Sequence, residues 1–156
     1  ISVATILLMD SQCYSGGTQV KAQLVKNRDY GISRTIDASF DVVIERTREA
    51  LKQEGFGVLS EIRMDEKLKE KLGVDFGRYA ILGACNPALA YRTLQEDINV
   101  GLFLPCNVIV YESNDPAKTV VAAIDPIEMM SMVGNPAINL VATEVHARLQ
   151  KVIEHI

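Results

Sequence analysis

Leu102 to Asp125 reads LFLPCNVIVYESNDPAKTVVAAID, and this stretch decides the fold. Two apolar, β-branched runs, Leu102 to Tyr111 and Thr119 to Asp125, flank the polar turn Ser113-Asn114-Asp115-Pro116. Runs of that length and composition read as strands, and the residues between them are turn formers. Strands joined by so short a connection must be antiparallel, because a parallel pair needs a crossover of about a dozen residues or more.

Upstream, Tyr79 to Cys85 is another apolar strand, and Asn86-Pro87 follows it. Asn is a good helix cap, and Pro suits the first helical position, where its missing N–H had no partner anyway. A helix from Pro87 to about Asp97 is expected. Phe56 to Met64 alternates, with Phe56, Val58, Ile62 and Met64 on one face and Glu61 and Arg63 on the other, as in a half-buried strand. Asp65 to Leu72 is a short charged helix stopped by Gly73, and Tyr30 to Asp37 is a further strand. Ser39 is placed to cap a helix whose stripe is Phe40, Val43, Ile44, Thr47 and Leu51, and Gly55 to end it.

Downstream, Ile127 to Val133 is a short helix, and Asp125 fits equally as its cap and as a site residue at a strand end. Asn135-Pro136 repeats the cap device and opens a last helix striped by Ile138, Val141, Val145, Leu149, Val152 and Ile156. The two long helices are each apolar on one face only. They fit one side of a single sheet, so the expected class is α+β, a single antiparallel sheet with helices packed on one face. Residues 1–29 form an N-terminal extension and residues 30–156 the domain, with the boundary near Asn27 to Tyr30.

The chain has 156 residues, 48% of them apolar and 23% charged, which suits one soluble domain with a real core. The formal net charge is -4 and no basic run stands above that background, so phosphate-neutralising nucleic-acid binding is set aside. There is no Trp, and the Tyr and Phe residues are scattered, so no stacking platform for single strands is visible. Ile1 to Met9 (ISVATILLM) is apolar but far short of the roughly 20 residues that span a bilayer. A retained strand of a cytoplasmic protein and a targeting or anchor remnant both fit it. Gln12 before Cys13 argues against a lipoprotein site. Three cysteines are too few for a disulfide framework and read as reduced thiols in the cytoplasm.

The candidate site is the pair Gly83-Ala84-Cys85-Asn86-Pro87 and Leu104-Pro105-Cys106-Asn107-Val108. Each puts a cysteine and then a hydrogen-bonding amide at the edge of an apolar run, and Pro105 favours a bulge or edge position. A thiolate at Cys85 would gain from the helix N-terminus that follows, which lowers its pKa. If the strands pair, Cys85 and Cys106 come close enough for a reversible disulfide or a soft-metal site. Against that, free cysteine commonly packs as a small hydrophobe, and no Cys-x-x-Cys or nearby His supports chemistry.

His146 and His155 are nine apart on the last helix, not a ligand spacing, and no metal site or cofactor is assigned. Met129, Met130 and Met132 read as fillers of a core gap, ahead of a Cu(I) site or an adaptable groove, since no Cys or His accompanies them. The patch Glu61, Arg63, Asp65, Glu66 and Lys67 reads as a solvated face. Neither Gly-x-Ser-x-Gly nor a Gly-rich nucleotide loop is present. Two functional readings follow. One is a non-enzymatic module that binds a small ligand or partner at Cys85, Asn86, Cys106 and Asn107. The other is a thiol protein using Cys85 and Cys106 for redox, sulfur transfer or soft-metal binding.

The segments EGFGVLSEI (54–62), LKEKLGVDF (68–76), ILGACNPALAYRTLQ (81–95), VGLFLPCNVIVYE (100–112), VVAAIDP (120–126) and MVGNPAI (132–138) occur in an order and spacing that resemble a bacterial and archaeal family. That family is known as domain of unknown function number three hundred and two. The resemblance covers about Tyr30 to Ile156, and Cys85, Asn86, Pro87, Pro105, Cys106 and Asn107 carry its most recognisable motifs. It implies a fold similar to the TATA-binding-protein-like class and a homodimer, and it brings no established activity. A shared fold name implies no DNA binding.

Overall fold

The computed structural model describes residues 30–156. The expected extension at residues 1–29, with Cys13 and the apolar Ile1 to Met9, lies outside the described residues. Among the described residues five strands form one antiparallel sheet in the order β1-β5-β4-β3-β2. They are β1 (Gly31–Ile36), β2 (Gly57–Arg63), β3 (Tyr79–Cys85), β4 (Cys106–Glu112) and β5 (Thr119–Ile124). The helices are α1 (Phe40–Gln53), α2 (Met64–Leu72), α3 (Pro87–Glu96), α4 (Pro126–Ser131) and α5 (Pro136–His155), with a 3-10 segment at Ile98–Phe103. The helices lie on one side of the sheet, so the α+β class read from the sequence is the one found.

The core sits between that side of the sheet and the helices α1 and α5. From α1 come Phe40, Val43, Ile44, Thr47 and Leu51, the expected stripe, all buried. From α5 come Leu149, Val152 and Ile153, and from the strands Ala80, Leu82, Ala84, Val108, Val110, Val121 and Ala123. A smaller cluster, Val100, Met130, Ile138 and Ala142, joins the 3-10 segment to α4 and α5. Met130 is buried and Met129 packs beside it, but Met132 is 73% exposed, so two of the three methionines fill the core.

Three helices open on a cap followed by proline. Asn86 accepts from Leu89 N at 3.2 Å, Asp125 from Ile127 N at 2.9 Å and Asn135 from Ala137 N at 2.9 Å. Each side chain satisfies one of the N–H groups that a helix start leaves without an intrahelical partner. Ser39 holds the N-cap position of α1 but makes no side-chain cap bond, which corrects the sequence reading. Gly55 and Gly73 end their helices with φ of 82° and 68°, the left-handed region that glycine enters without a Cβ penalty.

Two strands differ from expectation for physical reasons. β2 is an edge strand and is mostly exposed rather than half-buried. The register slips between Val58, opposite Ala84, and Ser60, opposite Gly83, leaving Leu59 as the extra residue of a bulge. One extra residue turns every later side chain to the other face. Glu61 and Arg63 therefore face the helices, where Glu61 meets Arg48 at 2.5 Å and Arg63 lies 5.1 Å over the Phe40 ring. Ile62, expected inside, is 43% exposed on the opposite face. The mixed-charge patch is thus partly a lid on the core edge, with Arg63 also bonded to Asp65 at 2.6 Å.

β4 starts at Cys106, not Leu102. Leu102 and Phe103 belong to the 3-10 segment, and the Leu104-Pro105 peptide is cis. Pro105 stays outside the ladder, so Cys106 opens a central strand rather than a bulge or an edge.

Candidate functional site

β3 and β4 pair with Ala84 opposite Cys106 and Gly83 opposite Asn107. Cys85 is therefore one residue diagonal to Cys106, at the end of the sheet that α3 and α5 roof. Both cysteines are free thiols and both line one cleft. Its walls are Phe56 and Ala84 from the sheet side, Leu89 and Ala90 from α3, Leu104, Met130, and Val141, Ala142 and Val145 from α5. The cleft encloses a cavity of about 30 Å³ and widens into an open mouth. The enclosed part is therefore small.

The polar groups at the cleft are few and mostly engaged. Asn86 lines it, but its carbonyl oxygen caps α3, and its amide nitrogen would lie 3.0 Å from a Cβ placed on Gly55. The Thr93 hydroxyl donates to Ala90 O at 2.8 Å on its own helix. Two sulfurs and one amide, its oxygen taken by the helix cap, thus face an apolar wall.

Burial pushes the Cys85 thiol up from its ordinary value. Cys106 is pushed up to about 11, by burial first and by the neighbouring Cys85 second. This corrects the expectation that the helix N-terminus would lower Cys85. Cys85 precedes the cap, and Asn86 already occupies the Leu89 N–H, so removal from water outweighs the helix. Among the described residues no third His, Cys, Asp or Glu stands with the two sulfurs to complete a metal shell.

Asn107 does not join the others. It is exposed, and the alternation of β4 points it to the face of the sheet away from the helices. Of the four candidate residues, the fold brings together Cys85, Asn86 and Cys106. The sequence reading missed Phe56, Leu89, Leu104 and Val145. Apolar residues carry no chemical signature, and only the helical spacing of Leu89 and Thr93 hinted at a shared inner face.

A second feature stands beside the cleft. His146 Nδ1 meets Asp125 Oδ1 at 2.9 Å, while the same oxygen caps α4. The pair pins α4 to α5 next to Pro126 and Val145, both on the cleft wall.

The sequence pattern of the family described as Domain of unknown function DUF302 matches residues 32–156. A solved structure described as an uncharacterized conserved protein DUF302 from Bacillus stearothermophilus is similar to the chain. Its TM-score is 0.76 and its sequence identity 36%, and the match covers 82% of this chain and 98% of that one. No curated protein matches the chain.

Proposed function

The chain belongs to the DUF302 family, and from that premise, which brings no activity with it, we propose a non-enzymatic module that holds a slim, largely apolar ligand in the Cys85–Cys106 cleft. The observation that carries this reading is the cleft itself. Its two thiols, the polar atoms set deepest among apolar side chains, are both pushed toward the neutral form. A neutral thiol packs as a small hydrophobe, and apolar walls with a few placed polar atoms are what small-molecule sites are made of. The ligand class that suits these apolar walls is an alkyl or acyl chain, most of it lying in the open mouth of the cleft. The protein works as a homodimer, and its free thiols suit the cytoplasm.

The test is a thermal shift with a medium-chain fatty acid and with the matching alcohol. A ligand at about a hundredfold its Kd adds about 2.7 kcal/mol of stability. Ala90→Trp, which fills the cleft, should abolish the shift. Fast labelling of Cys85 by a thiol reagent in the native protein at neutral pH, with no shift from either lipid, would instead support thiol chemistry.

A further inference from the structure

Strands β3 (YAILGAC), β4 (CNVIVYE) and β5 (TVVAAI) are apolar at nearly every position. An antiparallel sheet with one solvated face shows alternation of apolar and polar residues, whereas continuous apolar runs mark strands covered on both faces. Here the helices cover one face only. On the other face the strand register aligns Ile62, Ile81, Ile109, Ala122 and Ser33, one residue from each strand. The next row is Tyr79, Tyr111, Val120 and Thr35. The two tyrosine rings stack with centroids 5.5 Å apart, and Phe76 meets Tyr79 edge-on at 5.9 Å. Neither row contains a charged residue, in a chain with 16 basic and 20 acidic side chains.

We propose that this open sheet face is the surface through which two copies of the chain join, packed sheet on sheet. The proposal rests on the homodimer reading above and adds the surface. Area and charge both favour a second copy as the occupant. Five strands at about 4.8 Å spacing, each six or seven residues at about 3.3 Å, present a plan area of about 500 Å². Side-chain relief raises that toward the about 800 Å² per partner of a standard interface. An uncharged face is self-complementary under a two-fold axis, because no like charges meet across it. It matches the sandwich packing in which two inner faces interdigitate. The apolar segment Ile1 to Met9, nine residues long, would cover one strip of the face and leave the other strands bare.

The experiment uses the full chain and measures mass by light scattering from nanomolar to about 100 μM. Ser33→Glu and Thr35→Glu change residues that are exposed on β1, so the protomer fold does not depend on them. Each puts like charges across the interface, and the dimer dissociation constant is expected to rise on the order of a hundredfold. Ile109→Asp should give the same result, with circular dichroism reporting that the protomer still folds. A wild-type monomer at 100 μM overturns both the homodimer reading and this surface. A wild-type dimer that persists in folded Ser33→Glu and Thr35→Glu proteins overturns the surface alone. So does a dimer dispersed only by Leu102→Asp or Leu140→Asp, on the exposed side of the helical layer. Dispersal by Leu7→Asp and Leu8→Asp, with Ser33→Glu silent, assigns the contact to the N-terminal segment and also overturns the proposal.

Discussion

The two faces of the same strands are built from the same kinds of residue and meet different fates. On the helix-covered face, Ala80, Leu82, Val108, Val110 and Val121 are fully buried under α1 and α5. On the open face, Ile81, Ile109, Val120 and Ala122 are only half-covered, by one another and by the stacked tyrosines. Residue type alone does not separate the faces. What separates them is the single apolar stripe of each long helix, which gives the protomer enough cover for one side. The difference teaches that a strand's composition reports how many faces must finally be dry, while the protomer shows how many it can dry by itself.

The largest effect should come from the covered face. Leu82→Ala opens a cavity in the main core and should cost about 2–5 kcal/mol in urea denaturation at any protein concentration. Ile81→Ala, one residue along the strand, should cost about 1 kcal/mol or less in dilute protein. Equal losses in the two variants at nanomolar concentration would break the contrast.

The sulfur end sharpens it through pH. Cys106 is an acid whose pKa is raised on folding, so the folded state holds its proton where the unfolded state loses it. The stability tied to that thiol is constant below about pH 9 and declines as pH rises from about 9 to about 11. Two units correspond to a loss on the order of 2–3 kcal/mol. Denaturation curves at pH 8 and pH 11 should show that loss in wild type and a smaller one in Cys106→Ala.

Gly55 joins the helix layer to the cleft. Its φ of 82° is unfavourable for alanine, and a Cβ there would press the Asn86 amide at 3.0 Å. Gly55→Ala should cost about 1–3 kcal/mol by thermal denaturation and should also disturb the α3 cap. A neutral result would mean that the turn relaxes and the cleft is not braced there.

The smallest effects concern the caps. Asn86→Ala and Asn135→Ala should each cost about 0.5–2 kcal/mol, while Ser39→Ala, which removes no cap bond, should be close to neutral. Chemical denaturation of the three single variants separates them. A Ser39→Ala loss as large as that of Asn86→Ala would reverse the assignment.

Most of the fold was legible in the sequence because it rests on local rules. The tight polar turn at 113–116 made β4 and β5 antiparallel. The stripe from Phe40 to Leu51 marked the inner side of α1, and Asn-Pro twice announced a helix start. The bulge at Leu59 was not legible, because alternation continues through the extra residue and only pairing with β3 reveals the slip. The start of β4 was misread for a related reason. Leu102, Phe103 and Leu104 are as apolar as a strand, yet the 3-10 segment and Pro105 keep them out of the ladder.

The sequence by itself determined the class of the fold, its capped helices and the pair of Cys-Asn segments, since periodicity, capping and turn chemistry act over a few neighbouring residues. Only the tertiary structure decided that Cys85, Asn86 and Cys106 share a cleft while Asn107 faces the other way. The pleat sends adjacent residues to opposite faces, and strand register, a long-range property, sets which of them meet. It also decided the state of the thiols. A pKa depends on how much water the packed chain leaves around the sulfur, and that is a property of the walls supplied by α3 and α5.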